Sequence, residues 1–358
     1  MTRDEAKNDT RRSADEADRP PFRPAWWLRG RHRQTIWNRL FRAMPDVHTT
    51  RARWTTPDGD FVDIDFMDGP AGSPQLLAIH GLEGSSQRKY VRGMLALAAE
   101  HGWRGVALNF RSCSDAINRG PRLYHSGDTE DLDWIVGQLA KRDPGAPILP
   151  VGVSLGGNVL LKWLGEREDG APDELRAAVA ISVPFDLAAA AERMSKGAGR
   201  LYSRFFLRTL KRKALIKARQ YPELLDPRAI RAARDWRQYD EVATAPLHGF
   251  ASAADYWEKS SSASFLPRIR RPTLLISARD DPFIPESTLP IEPVASSAWL
   301  QADFTDRGGH VGFVAGRFPC RPVYWAEERA IGFLARFVPS IRPGGAAHAP
   351  LGAPPQPT

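Results

Sequence analysis

The sequence predicts an α/β protein: a mostly parallel central sheet flanked by helices, with a helical insertion late in the chain. Three observations carry this. Short apolar runs of strand length alternate with longer stretches of helical periodicity, as strands joined by crossover helices require. The 358 residues suffice for one large α/β domain with an insertion or for two smaller domains. One connection, about 184–266, carries no strand pattern and reads as helical and basic throughout.

Taken in order, the predicted strands are Phe61–Phe66, Gln75–His80, Gly105–Asn109, Ile148–Val153, Ala177–Ser182, Pro272–Ser277 and Ala298–Ala302. The clearest helices between and after them are Val91–Glu100, Thr129–Ala140, Leu155–Glu166 and Val323–Phe337, the order that βα units demand. An insertion of the length of 184–266 after a central strand is naturally a cap over the active face. Residues 1–20 are polar and of mixed charge, and 343–358 are rich in Pro, Gly and Ala. Both are expected to be disordered tails around a folded region at 21–342.

Apolar residues make up 42% of the chain and charged residues 26%, the composition of a globular protein rather than a disordered one. The net charge of +8 is concentrated: fourteen Lys and Arg stand against five Asp and Glu between Ala191 and Asp240. In Leu201–Ile216 the side chains of Tyr202, Phe206 and Leu210 fall on one helical stripe, with Arg204, Arg208, Lys211 and Arg212 elsewhere. The expectation is an apolar stripe packed on the body with a solvated basic face. Peripheral contact with an anionic membrane is the alternative, and a nucleic-acid partner is not expected. Trp26, Trp27 and Trp37 are expected to pack the N-terminal segment on the domain rather than to anchor it in an interface.

Two cysteines, Cys113 and Cys320, make no disulfide framework, and no Cys/His spacing suggests a metal site. The charged N-terminus lacks the apolar stretch of a secretory signal, and no run of about 18 apolar residues follows. The expected location is the cytoplasm, with no cofactor and no metal.

The chemistry is read from Gly152-Val153-Ser154-Leu155-Gly156. A G-x-S-x-G pentapeptide can arise by chance, but this one is preceded by a strand pattern and followed by a helical one. Strand, sharp turn and helix define a nucleophile elbow, and the glycines leave room for backbone packed close to the turn. A serine hydroxyl needs a base. Only His248 and His310 follow the elbow within the folded part, and His310, on the loop after the last predicted strand, is the candidate; His248 falls in the cap. The acid is expected at the end of the preceding strand, in Ala278-Arg279-Asp280-Asp281-Pro282. Asp281 is preferred, with Asp280 and, after an earlier strand, Asp186 as alternatives. The order Ser, Asp, His is that of the α/β-hydrolase fold. The backbone amides of Leu82, after the strand Gln75–His80, and of Leu155 are the expected oxyanion donors. His80 is expected to be structural.

With these residues in place the chain resembles the α/β hydrolase 4 family, in particular its bacterial YheT-like branch, from about Pro24 to Val338. The resemblance rests on Trp26-Trp27-Leu28, Gln34-Thr35-Ile36-Trp37, Asn109-Phe110-Arg111, the segment Tyr124 to Leu132, His248-Gly249-Phe250, Ala254 and Tyr256. It implies a serine esterase or acyltransferase whose triad maps onto Ser154, Asp281 and His310. Ser112 and Asp115 depart from an R-G-C-S-G loop usual there, which implies a changed loop conformation or pocket wall. The expected activity is hydrolysis of short to medium acyl esters, with a small-molecule or lipid-like ester as substrate. Acyl transfer to an alcohol is the nearest alternative, and the H-x-x-x-x-D acyltransferase signature is absent. A non-catalytic basic binding protein is a third reading, disfavoured by the complete Ser, His and Asp set.

Overall fold

The computed structural model describes residues 21–339 and His348–Ala349. The tail at 1–20, and the tail at 343–358 apart from those two residues, lie outside the described residues. Eight strands form the central sheet: β1 Thr50–Thr55, β2 Phe61–Met67, β3 Gln75–Ile79, β4 Arg104–Asn109, β5 Ile148–Val153, β6 Ala178–Ile181, β7 Thr273–Ala278 and β8 Leu300–Thr305. Their order is β1-β2-β4-β3-β5-β6-β7-β8. β1–β2 and β2–β4 pair antiparallel and every later pair is parallel. The central strands β3 to β7 are buried along their whole length, which is why they read as continuous apolar runs rather than alternating ones.

The larger helices are α1 Arg31–Leu40, α2 Lys89–Glu100, α3 Glu130–Arg142, α4 Leu155–Arg167, α5 Leu187–Met194, α6 Gly199–Gln220, α7 Ala253–Ser260 and α8 Trp325–Leu334. Two cores lie on opposite faces of the sheet. Leu132, Ile135, Val136 and Leu139 of α3 and Val159, Leu160 and Leu164 of α4 close one face over Val62, Ile64, Leu77 and Ile79. Val91, Met94 and Leu95 of α2 and Ile331, Phe333 and Leu334 of α8 close the other over Leu76, Ala78, Leu149 and Val151. The segment between β6 and β7 is helical, without a strand among the described residues, and has its own core of Leu187, Leu207, Leu210, Trp236 and Tyr239.

Several expectations shift. Thr50–Thr55 is an edge strand that no apolar run announces: only Ala52 and Trp54 point inward, while Arg51 and Arg53 bond Asp65 and Asp63, their partners in register on β2 (2.7 and 2.8 Å). The last strand lies at Leu300–Thr305 rather than Ala298–Ala302, because the partly exposed edge carries Gln301 and Asp303 in an alternating pattern. The helix expected from Val323 starts at Trp325, since Val314–Phe318 and Arg321–Tyr324 form a hairpin before it. That hairpin receives the N-terminal tryptophans: the Trp26 and Trp27 indole N–H groups donate to Arg317 O (3.0 Å) and Gly316 O (3.2 Å), and the Trp27 and Trp37 rings lie 4.7 Å apart.

Candidate active site

β5 ends at Val153 and α4 begins at Leu155, so Ser154 must turn the chain by itself. It does so with φ 54° and ψ −120°, a region that L-residues occupy only when their surroundings hold them there. Its N–H donates to Ile181 O (2.8 Å) and Asn158 N–H donates to Ser154 O (3.0 Å), tying the turn to β6 and to the first turn of α4. A Cβ on Gly152 would sit 2.5 Å from Gly156 O, and one on Gly156 would sit 2.5 Å from both Ile79 O and His80 O. The two glycines therefore let strand, helix and β3 close around the turn.

Ser154 Oγ lies 2.9 Å from His310 Nε2, and His310 Nδ1 lies 2.8 Å from Asp281 Oδ2. The other Asp281 oxygen accepts N–H groups from Phe283 (2.7 Å) and Ile284 (3.2 Å), so both edges of the buried carboxylate are occupied. The structure brings these three residues together and separates the alternatives. Asp280 accepts the Gly309 N–H (2.8 Å) and braces the loop beneath His310. Asp186 caps α5 by accepting Ala189 N–H (2.9 Å). His248 packs against His125, with ring centroids 4.4 Å apart and planes tilted by 57°.

The loop carrying His310 is held by α1, which sequence reasoning took only as packing. Thr35 Oγ1 accepts His310 N–H (2.9 Å), Asn38 Nδ2 donates to Val311 O (2.7 Å), and Gln34 both accepts Val314 N–H (2.7 Å) and donates to its carbonyl (3.0 Å). On the other side Ser182 Oγ accepts Val311 N–H (3.0 Å). This framework is needed because Val311 and Phe313 have φ of 56° and 44°, costly for a β-branched and an aromatic residue. The Gln34-Thr35-Ile36-Trp37 motif is visible in the sequence, but the partner of Thr35 lies 275 residues away.

The Leu82 and Leu155 amides have no acceptor among the described residues, and both residues line the same cavity as Ser154. The next residue, Glu83, has φ 51° and is clamped. The Tyr124 hydroxyl accepts Glu83 N–H (2.7 Å) and donates to Oε1 (2.8 Å), Lys213 Nζ donates to Oε1 (2.6 Å), and Arg88 donates to the Glu83 carbonyl. Lys213 belongs to α6, so the helical insertion reaches down to the loop that bears the Leu82 amide. His80 is structural: Nδ1 donates to Gly81 O (2.7 Å) and Nε2 accepts Phe110 N–H (3.2 Å), and burial pushes its imidazole down to about 3. At the departure from the resembled loop, Ser112 keeps a left-handed backbone (φ 62°), with its hydroxyl accepting Asn118 N–H (3.1 Å), and Asp115 pairs with Arg51 (2.5 Å). Neither residue lines the cavity, so the expected change in its wall is not found.

That cavity has a volume of about 790 Å³, large enough for a lipid-like ligand, and lies between the sheet end and the insertion. Ser154, Leu155, Leu82 and His310 contribute to it from the body; Leu187, Met194, Tyr202, Phe206, Leu210 and Leu247 contribute from the insertion. Tyr202 and Phe206 are thus turned to the cavity. The expected stripe does pack: Leu210 is buried and the half-buried Tyr202 and Phe206 rings lie 4.7 and 6.5 Å from that of Phe283, while Ser203, Leu207, Ala214 and Lys217 form a more deeply buried seam beside it.

Sequence comparison matches residues 74–293 to the alpha/beta hydrolase fold family. YheT of Escherichia coli (strain K12), named as a candidate esterase, is 39% identical over 312 residues, 86% of this chain and 91% of that protein. Mus musculus phospholipase ABHD3 is 30% identical over 312 residues, covering 85% and 75% of the two chains. The monoacylglycerol lipase of Saccharomyces cerevisiae is 30% identical over 281 residues, covering 76% and 61%. Among solved structures the esterase Pf2001 of Pyrococcus furiosus superposes with a TM-score of 0.52 at 18% identity, covering 83% of this chain and 98% of that one. With this sheet order, an elbow at the end of β5 and relatives of this extent, the chain belongs to the α/β-hydrolase fold family.

Proposed function

We propose that the protein is a serine hydrolase that cleaves carboxylic esters through an acyl-enzyme on Ser154. One observation carries the reading: the hydrogen-bonded series Asp281, His310, Ser154 opens into a large apolar cavity beside two unengaged amides. With its Nδ1 proton donated to Asp281, His310 has Nε2 free to take the hydroxyl proton as Oγ attacks the ester carbonyl. The oxyanion that forms receives the Leu82 and Leu155 N–H groups, each worth about 3 kcal/mol in the transition state. The imidazolium then protonates the departing alcohol. In the second half His310 takes a proton from water, hydroxide adds to the acyl carbon, and Ser154 leaves with the proton returned.

The apolar walls suit short to medium acyl chains, and the relatives named lipase and phospholipase support a lipid-like ester. The rim supports peripheral contact with anionic lipid. Among the described residues, five of the nine large exposed apolar side chains, Leu40, Phe41, Met44, Leu201 and Phe205, lie at the C-terminal end of α1 or just beyond it and near the start of α6, and three of them also line the cavity. The Arg39 guanidinium lies 4.1 Å from the Phe205 ring centroid and joins the two groups. A fluorophosphonate probe tests the chemistry: it is expected to label the native protein and not Ser154→Ala, and an unlabelled native protein overturns the reading. Turnover of p-nitrophenyl esters from acetate to dodecanoate then ranks chain length.

A further inference from the structure

Two sequence motifs have no part in the acyl-transfer chemistry: His125 and Ser126 after β4, and His248 with Tyr256 in the insertion. The fold brings them together. The His125 ring lies 4.4 Å from that of His248 and 5.6 Å from that of Tyr256, and both imidazoles line the cavity that holds Ser154. The cluster is anchored close to the nucleophile. The Tyr256 hydroxyl accepts Ser126 N–H (3.0 Å), Ser126 O accepts from Asn158 Nδ2 (2.8 Å), and Asn158 N–H donates to Ser154 O (3.0 Å) one turn along α4.

We propose that His125 and His248 form a subsite for a hydroxyl-bearing leaving alcohol, so that the protein prefers esters of glycerol-type polyols to esters of simple alkanols. The inference rests on the serine-esterase reading of the same cavity. Its walls are otherwise largely apolar, and polar groups facing such a wall without partners are costly unless a ligand completes them. His125 Nδ1 accepts Gly127 N–H (3.1 Å), which puts its own proton on Nε2 and leaves a donor over. His248 has no hydrogen-bond partner among the described residues. Burial holds both imidazoles neutral, His125 well below its usual value and His248 down to about 3. A neutral imidazole offers one donor and one acceptor, the complement of a hydroxyl group; a phosphate or carboxylate would call for cations. A site built to bond a hydroxyl discriminates strongly against the analogue that lacks it.

The test compares kcat/KM on glyceryl monobutyrate and ethyl butyrate for the native protein, His248→Phe and His248→Gln. The native protein is expected to favour the glyceryl ester; His248→Phe should lower that ratio about tenfold, the value of one hydrogen bond of about 1.4 kcal/mol, and His248→Gln should restore part of it. A native protein without the preference, or an equal loss on both esters in His248→Phe, overturns the subsite. Binding separates this from the esterase reading. Ser154→Ala should bind 1-O-octylglycerol about tenfold more tightly than octyl ethyl ether, and the added His248→Phe should remove the difference. Diol-selective binding without turnover in the native protein supports the subsite and counts against the esterase reading; turnover without diol selectivity does the reverse.

Discussion

Asp280 and Asp281 are adjacent carboxylates with different partners, one on the Gly309 amide and the other on the His310 ring. Asp281→Asn is expected to lower kcat on p-nitrophenyl butyrate by about 10³–10⁴, through loss of the correct imidazole tautomer. Asp280→Asn should cost much less, and steady-state kinetics on the pair checks this; the opposite ranking reverses the roles. Sequence alone prefers Asp281 and keeps Asp280 as an alternative because the two occupy the same turn; the direction of each side chain separates them. Ser154 and His310 were legible because each carries a local signal, an elbow and a glycine-rich loop after a strand. His80 makes a second residue-scale case. The unfolded chain protonates this imidazole near 6.5 and the folded chain only near 3. Between those values the unfolded state holds the extra proton, so this group removes stability as pH falls, by up to about 1.4 kcal/mol per pH unit. Urea melts of native protein and His80→Asn between pH 6.5 and 4.5 should show a shallower loss in the variant; parallel slopes would mean that His80 titrates normally in the fold.

At the scale of elements, α6 explains what a single amphipathic stripe could not foretell. It serves three environments: a buried seam through Leu207, Leu210 and Ala214, a cavity face through Tyr202 and Phe206, and an exposed face through Arg204, Arg208 and Arg212. Its three lysines are not free surface charge. Lys211 donates to Arg231 O (3.1 Å), Lys213 to Glu83 (2.6 Å) and Lys217 to Asn118 O (2.6 Å), so part of the basic excess is internal structure. Periodicity within a helix reports that a face is apolar and leaves open whether that face meets core or cavity. The Lys213 contact spans 130 residues and left no sequence signal, yet it joins the insertion to the Leu82 loop. Lys213→Met leaves the buried Glu83 carboxylate without its cation, at a cost of about 3 kcal/mol. Thermal melts should show that loss, and kcat should fall about tenfold with KM little changed as the Leu82 amide loosens. Adding Glu83→Gln should recover most of the stability. A variant with native kcat would show that the ion pair has no hold on the oxyanion site.

Over the whole molecule, the parallel sheet and its helices were legible because buried strands are continuous apolar runs. The edge strand β1 goes unannounced and the bounds of β8 shift because their polar faces break those runs. The surface follows the same logic: a net charge of +8 is legible, but where it lies relative to the cavity mouth depends on tertiary structure. Among the described residues no helix is long and apolar enough to cross a membrane. The exposed stripe Leu201, Arg204, Phe205, Arg208 and Arg212 on α6 has its apolar members at the rim and its cations along the same face, and among the described residues no carboxylate pairs with those three arginines. Leu40 and Phe41 extend the apolar part across α1. Such a face gains from apolar insertion and from attraction to anionic head groups, and the second contribution is screened by salt. The protein is expected to float with vesicles containing phosphatidylglycerol and far less with pure phosphatidylcholine, and to be released as salt rises. Arg204→Glu/Arg208→Glu and Leu40→Ser/Phe41→Ser lie outside the cavity lining, so both should retain turnover of soluble p-nitrophenyl acetate while losing vesicle binding. Equal binding to neutral vesicles, or binding unchanged in the charge-reversed variant, would leave the arginines as a solvated face and remove the membrane from the reading of the cap.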